Sequence, residues 1–451
     1  MRHRTALVAG LGFACALATA TTLVAQDKKN EREAKVRGDK EHVTTGGAWI
    51  YDDLPRGIDE AKKSGKPLLV VFRCIPCEAC AKIDEDVVDR DPIVAKLLDR
   101  YVCVRIPHMN GVDLSVFQFD YDQSWAAFML NADLTIYGRY GTRSSQKESK
   151  DDVSLEGFAK ALEGGLALHA GFPANAESLK RKQLWIGRLD PRTPERLPSL
   201  KDRFKPSLDW EGKVVPSCIH CHMVAEGLRR ESRDAGKAIP LELLHRYPSP
   251  ATFGLVMDPR QAARVASVTP GSSAERSGFK PGDDLVTAFG QPLVSIADLQ
   301  WELGWWTGIA GKLNVEVLRE GATVPLTLRF AGDWWRRDDI SWRASSWDLR
   351  RMVTGGLVLV DLTDDEREKA GIDKTSLALR VKHVGQYGDH AAGKKAGFLE
   401  NDVFVSLDGR LVRMSESELL TSLATSTIPG EKVPVTVLRD GKKLEMALPM
   451  Q

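Results

Sequence analysis

Cysteine is scarce in this chain, whose 451 residues contain only seven. Cys15 lies in an apolar N-terminal run, and the other six fall at 74–80, 103 and 218–221. So few and so clustered cysteines exclude a disulfide scaffold and point to redox or metal chemistry.

An excess of charge of either sign is also missing. Lys and Arg number 63, Asp and Glu number 62, and the formal net charge at pH 7 is +1. There is therefore no electrostatic basis for binding nucleic acid or an anionic surface.

Long hydrophobic runs are confined to the N-terminus. There, Arg2 and Arg4 precede small and apolar residues over 6–25, and a polar chain follows. This pattern predicts a signal peptide over residues 1–26 and export to the periplasm or cell envelope. The run is long for a signal peptide, so an uncleaved membrane anchor is the alternative.

Beyond this run, the length suffices for about three domains. Residues 27–46 alternate Lys, Arg, Asp and Glu with almost nothing to bury. We therefore expect a charged, disordered tether there, with folding beginning after it.

Cys218, Cys221 and His222 form a C-x-x-C-H sequence. Two thiols at this spacing can add to the vinyl groups of a haem, and the adjoining imidazole then ligates the iron. The sequence thus predicts a covalently attached c-type haem within residues 174–249, a segment with no regular strand pattern. A zinc site completed by His220, or a plain cysteine pair, remains open.

A second cysteine cluster, Cys74, Cys77 and Cys80, lies between a short apolar run at 67–72 and a helical stretch. Another apolar run at 102–106 and a strand pair around a turn at 131–133 complete the pattern. This order of elements over residues 47–173 resembles the thioredoxin-like family.

The resemblance implies roles for the three thiols. The family's first cysteine falls five residues after the strand's last Phe, which selects Cys77 as the attacking thiol and Cys80 as the resolving thiol. A helix N-terminus would lower the thiol pKa of Cys77 and make its sulfur nucleophilic. Cys74 would trap either partner or act as a regulatory thiol, whereas Cys103 fits an inert core position.

One departure from the family stands out. Trp125 occupies the position where thioredoxin-like proteins usually carry a cis proline, which helps to exclude metals from the dithiol. Its absence keeps two alternatives open for this cluster: metal binding, and a structural role.

The C-terminal part contains an internal repeat. The sequence at 277–286 returns at 396–405, and that at 317–321 returns at 437–441. Both copies resemble bacterial PDZ domains, which implies domains over residues 250–331 and 353–451 joined by a Trp-rich linker over 332–352. PDZ domains bind peptide C-termini beside a Gly-containing loop. The corresponding loop residues are Phe253, Gly254 and Leu255 in the first copy and Gly355, Gly356 and Leu357 in the second.

Taken together, the chain resembles exported bacterial proteins that join a thioredoxin-like domain to PDZ domains, some of which use selenocysteine. The expected fold class is α/β plus β. The leading expectation is a thiol–disulfide redox protein that carries haem and selects a protein partner through its PDZ domains. The alternative is a PDZ scaffold or redox sensor. A serine protease is disfavoured because no G-x-S-x-G sequence is present.

Overall fold

The computed structural model describes residues 30–75, 81–145, 152–183 and 193–451. No helix in these ranges is long and apolar enough to cross a membrane. Five parts follow one another along the chain. They are the N-terminal unit (30–173), the connecting segment (174–249), the first repeat (250–331), the bridging segment (332–352) and the second repeat (353–451).

The described chain begins with a helix, α1, over residues 30–45. The prediction of a disordered tether over 27–46 is therefore wrong for this stretch. Val36 and Val43, seven residues apart, lie on one helix face and are buried, at 5% and 2% exposure. Two apolar residues among many charged ones are a weak sequence signal for a packed helix. Contact of these two residues with the rest of the chain stabilises the helix.

The N-terminal unit is built on one five-stranded sheet in the order β1-β3-β2-β4-β5. The first three of these strands are parallel, β4 runs antiparallel to β2, and β5 runs antiparallel to β4. The apolar runs at 67–72 and 102–106 form strands as predicted. The elements are β1 Trp49–Tyr51, α2 Leu54–Ser64, β2 Leu68–Arg73, α3 Ala81–Val88, α4 Pro92–Leu98, β3 Val102–Ile106, β4 Trp125–Leu130, β5 Ile136–Tyr140 and α5 Leu155–Ala170.

Local capping fixes the helices that flank this sheet. The Asp53 side chain accepts the N–H of Arg56 at the start of α2, and the Asp91 side chain accepts the N–H of Ile93 at the start of α4. Both helices carry Pro in the first turn, where no backbone donor is needed. The start of each helix therefore has a local capping signal in the sequence.

The connecting segment closes one face of the same sheet. Its helices are α6 Ala176–Leu179, α7 Val214–Ser217 and α8 Cys221–Asp234. Ile219 and Val224 are fully buried in a cluster with Phe72 of β2. The segment is thus held to the N-terminal unit by a shared hydrophobic core.

Both repeats are built from antiparallel strands, which form two sheets in the first repeat and one in the second. In the first repeat, β6 pairs with β7, and a second sheet has the order β11-β10-β8-β9. The second repeat has one sheet in the order β12-β13-β14-β15-β16. The first comprises β6 Leu255–Met257, β7 Val265–Val268, α9 Ser273–Arg276, β8 Asp284–Ala288, β9 Gln291–Pro292, α10 Ile296–Leu303, β10 Gly311–Arg319 and β11 Ala322–Phe330. Then follow α11 Ser346–Thr354 in the bridging segment, β12 Leu357–Asp361, α12 Asp364–Lys369, β13 Leu379–Val384, α13 Ala392–Lys395, β14 Val403–Leu407, α14 Glu416–Ser426, β15 Lys432–Arg439 and β16 Lys442–Pro449.

One ion pair shows that the sequence repeat is also a structural repeat. In the first copy Arg319 Nε lies 2.6 Å from a carboxylate oxygen of Asp283, and in the second Arg439 Nε lies 2.6 Å from Asp402. Both aspartates are buried. Each arginine also donates to the carbonyl of the turn glycine in its own copy. The pair therefore ties the final hairpin of each copy to its Gly turn.

Candidate thiol site

The two cysteine motifs meet in space. Cys74 follows directly after β2, and its N–H donates to the Ser124 carbonyl at 2.9 Å. The Cys74 Sγ lies 3.1 Å from Nδ1 of His220, which is 146 residues away in the sequence. The C-x-x-C-H segment thus lies at the C-terminal end of the central strand β2.

Asn110 holds this segment in place. Its Oδ1 accepts the N–H of Ile219 at 2.8 Å, and its Nδ2 donates to the Ser217 carbonyl at 2.9 Å. Met109 N–H donates to the Ile219 carbonyl at 2.9 Å. Both residues that flank Cys218 are therefore fixed to the N-terminal unit.

His220 is neutral in this environment. Burial, together with the positive charges of His222 and Arg32, lowers the pKa of His220 to about 4. A neutral imidazole has one bare ring nitrogen, so Nδ1 can accept the S–H of Cys74. The residue lies just before α8 and makes no side-chain hydrogen bond to cap that helix.

Cys218 is a protonated thiol at neutral pH. Burial raises the pKa of its side chain well above the usual range, and the negative charges of Cys74 and Asp52 add to the rise. Its side chain packs with Ile75 against a small buried cluster that includes Val36 of α1. Helix α1 therefore covers this part of the site.

Cys221 and His222 face other partners. Cys221 is 6% exposed and packs in the core beneath the sheet. His222 Nδ1 lies 2.8 Å from Oε1 of Glu226. Burial alone would lower the pKa of His222, but the hydrogen bond and the charge of Glu226 outweigh it and raise the pKa.

This arrangement does not fit a c-type haem. Such a haem is bonded to both motif cysteines and ligated by the next histidine, so all three groups face one porphyrin. Here Cys218 packs in the cluster beneath α1, whereas Cys221 packs in the separate core under the sheet. Haem stays a sequence prediction.

Zinc also stays a prediction. In the described ranges, no group of three or more His, Cys, Asp or Glu side chains is arranged to hold a metal ion. Cys77 and Cys80, the predicted attacking and resolving thiols, lie outside the described residues, which omit 76–80. Cys74, Cys103, Cys218 and Cys221 are all present as thiols.

A buried carboxylate that sequence analysis missed supports the site from below. Asp84 in α3 accepts the indole N–H of Trp125 at 2.9 Å and pairs with Arg73 at 3.1 Å and Arg105 at 2.7 Å. Burial alone would raise the pKa of Asp84, but Arg105 and Arg73 outweigh it and lower the pKa. Trp125, at the position of the family's cis proline, thus anchors β4 to α3. The sequence signal for this buried carboxylate was the position of Asp84, which follows Ile83 on the apolar face of a helix.

Most residues of the predicted peptide-binding loop in the first repeat contribute to the core of that repeat. Phe253 and Leu255 are each 1% exposed and lie in the core of the repeat. The N–H of Gly254 donates to the Ala251 carbonyl at 2.9 Å. An open groove of about 730 Å³ nevertheless runs past Gly254, and Arg276, Lys312, Arg329 and Arg337 are among its lining residues.

The corresponding loop of the second repeat is closed. The N–H groups of Gly355 and Gly356 both donate to the Arg350 carbonyl, and Leu357 is fully buried. The N–H of Leu359, further along β12, donates to Glu416 of α14 at 2.8 Å. The backbone donors that a peptide would need here already have partners.

Residues 49–132 match the family model described as Thioredoxin-like. The match includes β1 through β4 and the cysteine turn, so this part of the chain is a thioredoxin-like domain.

The similar curated proteins are named as periplasmic proteases. A probable periplasmic serine endoprotease DegP-like from Pseudomonas savastanoi pv. phaseolicola is 25% identical over 194 residues, which cover 42% of this chain and 37% of that protein. The periplasmic serine endoprotease DegP of Salmonella typhimurium is 33% identical over 72 residues, 16% of this chain and 15% of DegP. The chain therefore spans well under half the length of these relatives.

Among solved structures, the HtrA-type protease AlgW with tripeptide is 28% identical. The similarity covers 21% of this chain and 29% of AlgW, with a TM-score of 0.17.

Proposed function

We propose that this protein is an exported thiol–disulfide redox protein in which the repeats act as PDZ domains that select a protein partner. The contact between Cys74 and His220 carries the proposal, because it puts a neutral imidazole at 3.1 Å from a thiol at the end of β2. The thioredoxin-like match of residues 49–132 supports the reaction class. The periplasmic names of the relatives support export.

In the proposed reaction Cys77 attacks a partner disulfide as a thiolate. One partner sulfur leaves as a thiolate and takes up a proton, and a mixed disulfide remains. Cys80 then attacks Cys77, the second partner sulfur leaves, and the protein holds a disulfide. Two electrons and two protons pass from the protein dithiol to the partner, and an external dithiol restores the reduced form.

Insulin reduction in the presence of dithiothreitol tests this proposal. We expect Cys77→Ser to abolish turnover and Cys80→Ser to leave a trapped mixed disulfide. Cys103→Ser is the matched control, because Cys103 is buried away from the turn and should keep full turnover. Unchanged turnover in Cys77→Ser would show that the nucleophile is assigned to the wrong residue.

A second candidate function is peptide docking without turnover. The groove of about 730 Å³ in the first repeat favours it, because its lining includes Gly254 of the predicted loop and several cationic side chains. A peptide that ends in a carboxylate after acidic residues has the complementary charge. Binding measured by fluorescence anisotropy should weaken at least about tenfold in Arg276→Glu/Arg329→Glu and with C-terminal amidation, since charge contacts of this kind are worth about 1.4 kcal/mol or more. Equal binding of the amidated peptide would count against a carboxylate site.

We do not propose protease activity for this chain, although its relatives are named as proteases. Its sequence contains no G-x-S-x-G. The structure instead supplies thiols at the C-terminal end of a central strand, where loops commonly place reactive groups.

A further inference from the structure

We propose that the C-x-x-C-H motif supplies the partner thiol for Cys74, and that Cys74 and Cys218 close a reversible disulfide between the N-terminal unit and the connecting segment. The inference rests on the proposed redox function and concerns the regulation of the same site. It gives the motif a role that requires no haem.

Two contacts bring the end of β2 and the motif together. The Cys74 Sγ lies 3.1 Å from Nδ1 of His220, two residues after Cys218. The next residue, Ile75, packs against the same small cluster as Cys218. Two adjacent residues after β2 therefore lie beside the motif that carries Cys218.

Asn110 holds the motif in this position through hydrogen bonds to the residues on both sides of Cys218. Cys221 is excluded as the partner by its burial in the core beneath the sheet.

The step balances with a disulfide oxidant such as glutathione disulfide. The Cys74 thiolate attacks one sulfur of the oxidant and forms a mixed disulfide, and the first glutathione leaves as a thiolate that takes up the Cys74 proton. Cys218 then attacks the Cys74 Sγ, and the second glutathione leaves with the Cys218 proton. The two protein thiols lose two electrons and two protons, and the oxidant gains them as two thiols.

Closure of the bridge would have a structural consequence. It would link the connecting segment covalently to the C-terminal end of β2, beside the cluster in which Val36 of α1 packs. A dithiol reductant would reopen it. The bridge would thus report the redox state of the compartment at the edge of the proposed reaction site.

Disulfide mapping of the full-length protein tests the bridge. The protein is oxidised with glutathione disulfide, alkylated, digested without reduction and analysed by mass spectrometry. We expect a linked Cys74 and Cys218 peptide pair in the wild type and in Cys77→Ser/Cys80→Ser. In Cys218→Ser we expect Cys74 to carry one glutathione instead. Cys103→Ser is the matched control and should keep the linked pair.

The outcomes separate the bridge from the proposed function. In Cys77→Ser/Cys80→Ser, a Cys74 that carries glutathione while Cys218 is alkylated would overturn the bridge, as would a Cys74 linked to Cys221. Insulin turnover in the wild type would then still support the redox function. Conversely, a linked pair in a wild type that lacks turnover would keep the bridge and contradict the redox function. Far-UV circular dichroism of Cys218→Ser serves as the check that this variant is folded.

Discussion

Burial decides what each thiol in this protein can do. Cys103 is 4% exposed in β3, and burial raises its pKa to about 12. Cys74 is only partly buried and lies beside a neutral imidazole. The same side chain is therefore inert packing in one strand and a candidate reactive group at the end of its neighbour.

Cys103 should resist alkylation in the native protein. At pH 8 a thiol with a pKa near 12 is ionised to roughly one part in ten thousand, and its burial blocks access. We expect iodoacetamide to label Cys103 only in denaturant, as read by peptide mass mapping. Labelling of native Cys103 at the rate of an exposed thiol would contradict this assignment.

Asp84 is the central residue of the buried ion-pair network beneath the thiol site. Asp84→Asn removes the buried carboxylate that Arg73 and Arg105 share, so we expect a loss of about 3–5 kcal/mol in the free energy of unfolding, measured with urea. Asp86→Asn in the same helix is the control, because its partner Lys82 is exposed, and it should cost less than about 1 kcal/mol. Equal losses in the two variants would contradict a buried ion-pair network.

The same network gives a pH dependence with a defined sign. The pKa of Asp84 is lower in the folded protein than its ordinary value, so its contribution to stability is present above the unfolded pKa of about 3.9. That contribution is lost as the pH falls through the lower folded value. Wild type should therefore lose more stability than Asp84→Asn between neutral pH and acid, and parallel curves would count against it.

At the scale of elements, the sequence was most informative where a signal is local. The strands β2 and β3 are continuous apolar runs, and α4 starts at an Asp-Pro pair, so each could be placed from its own residues. The helix α1 could not be placed from its own residues, because its burial depends on residues of the connecting segment. The contact between Cys74 and His220 has no local signal, because 146 residues separate the two side chains.

Helix α1 should behave as a packed element. Val36→Asp puts a charge into the cluster beneath it, and we expect tryptic cleavage at Lys35 or Arg37 to become at least about tenfold faster, as for a local opening made easier by about 1.4 kcal/mol. The exposed Glu41→Ser in the same helix is the control and should be cut as slowly as wild type. Rapid cleavage of wild type at these sites would restore the tether prediction.

At the scale of the whole molecule, buried polar contacts join the first repeat to the rest. Asp298 of α10 accepts the N–H of Arg139 on β5 and pairs with Lys182 at 2.9 Å, and both members of this pair are about 2% exposed. All eight residues of α10 are buried. This helix of the first repeat thus docks onto the N-terminal unit, a use that the repeat pattern alone does not reveal.

Asp298→Ala should uncouple these units. It leaves Lys182 buried without its partner, so we expect about 3–5 kcal/mol lower stability and a urea transition that splits in two, followed by tryptophan fluorescence and circular dichroism. Asp284→Ala is the control, because the Asp284–Arg264 pair lies at the surface of the same repeat and should contribute about 1 kcal/mol or less. A single unshifted transition in Asp298→Ala would show that the docking contributes little.

If the two cysteine motifs form one thiol site, Cys218 and Cys221 remain thiols and carry no haem. Peptide mass mapping of Cys218–His222 decides this, on protein that is produced together with haem-maturation machinery and alkylated after reduction. We expect both cysteines to carry the alkylating group and the protein to be colourless. A haem mass on this peptide, together with visible absorption that survives denaturation, would show that the motif is a haem site instead.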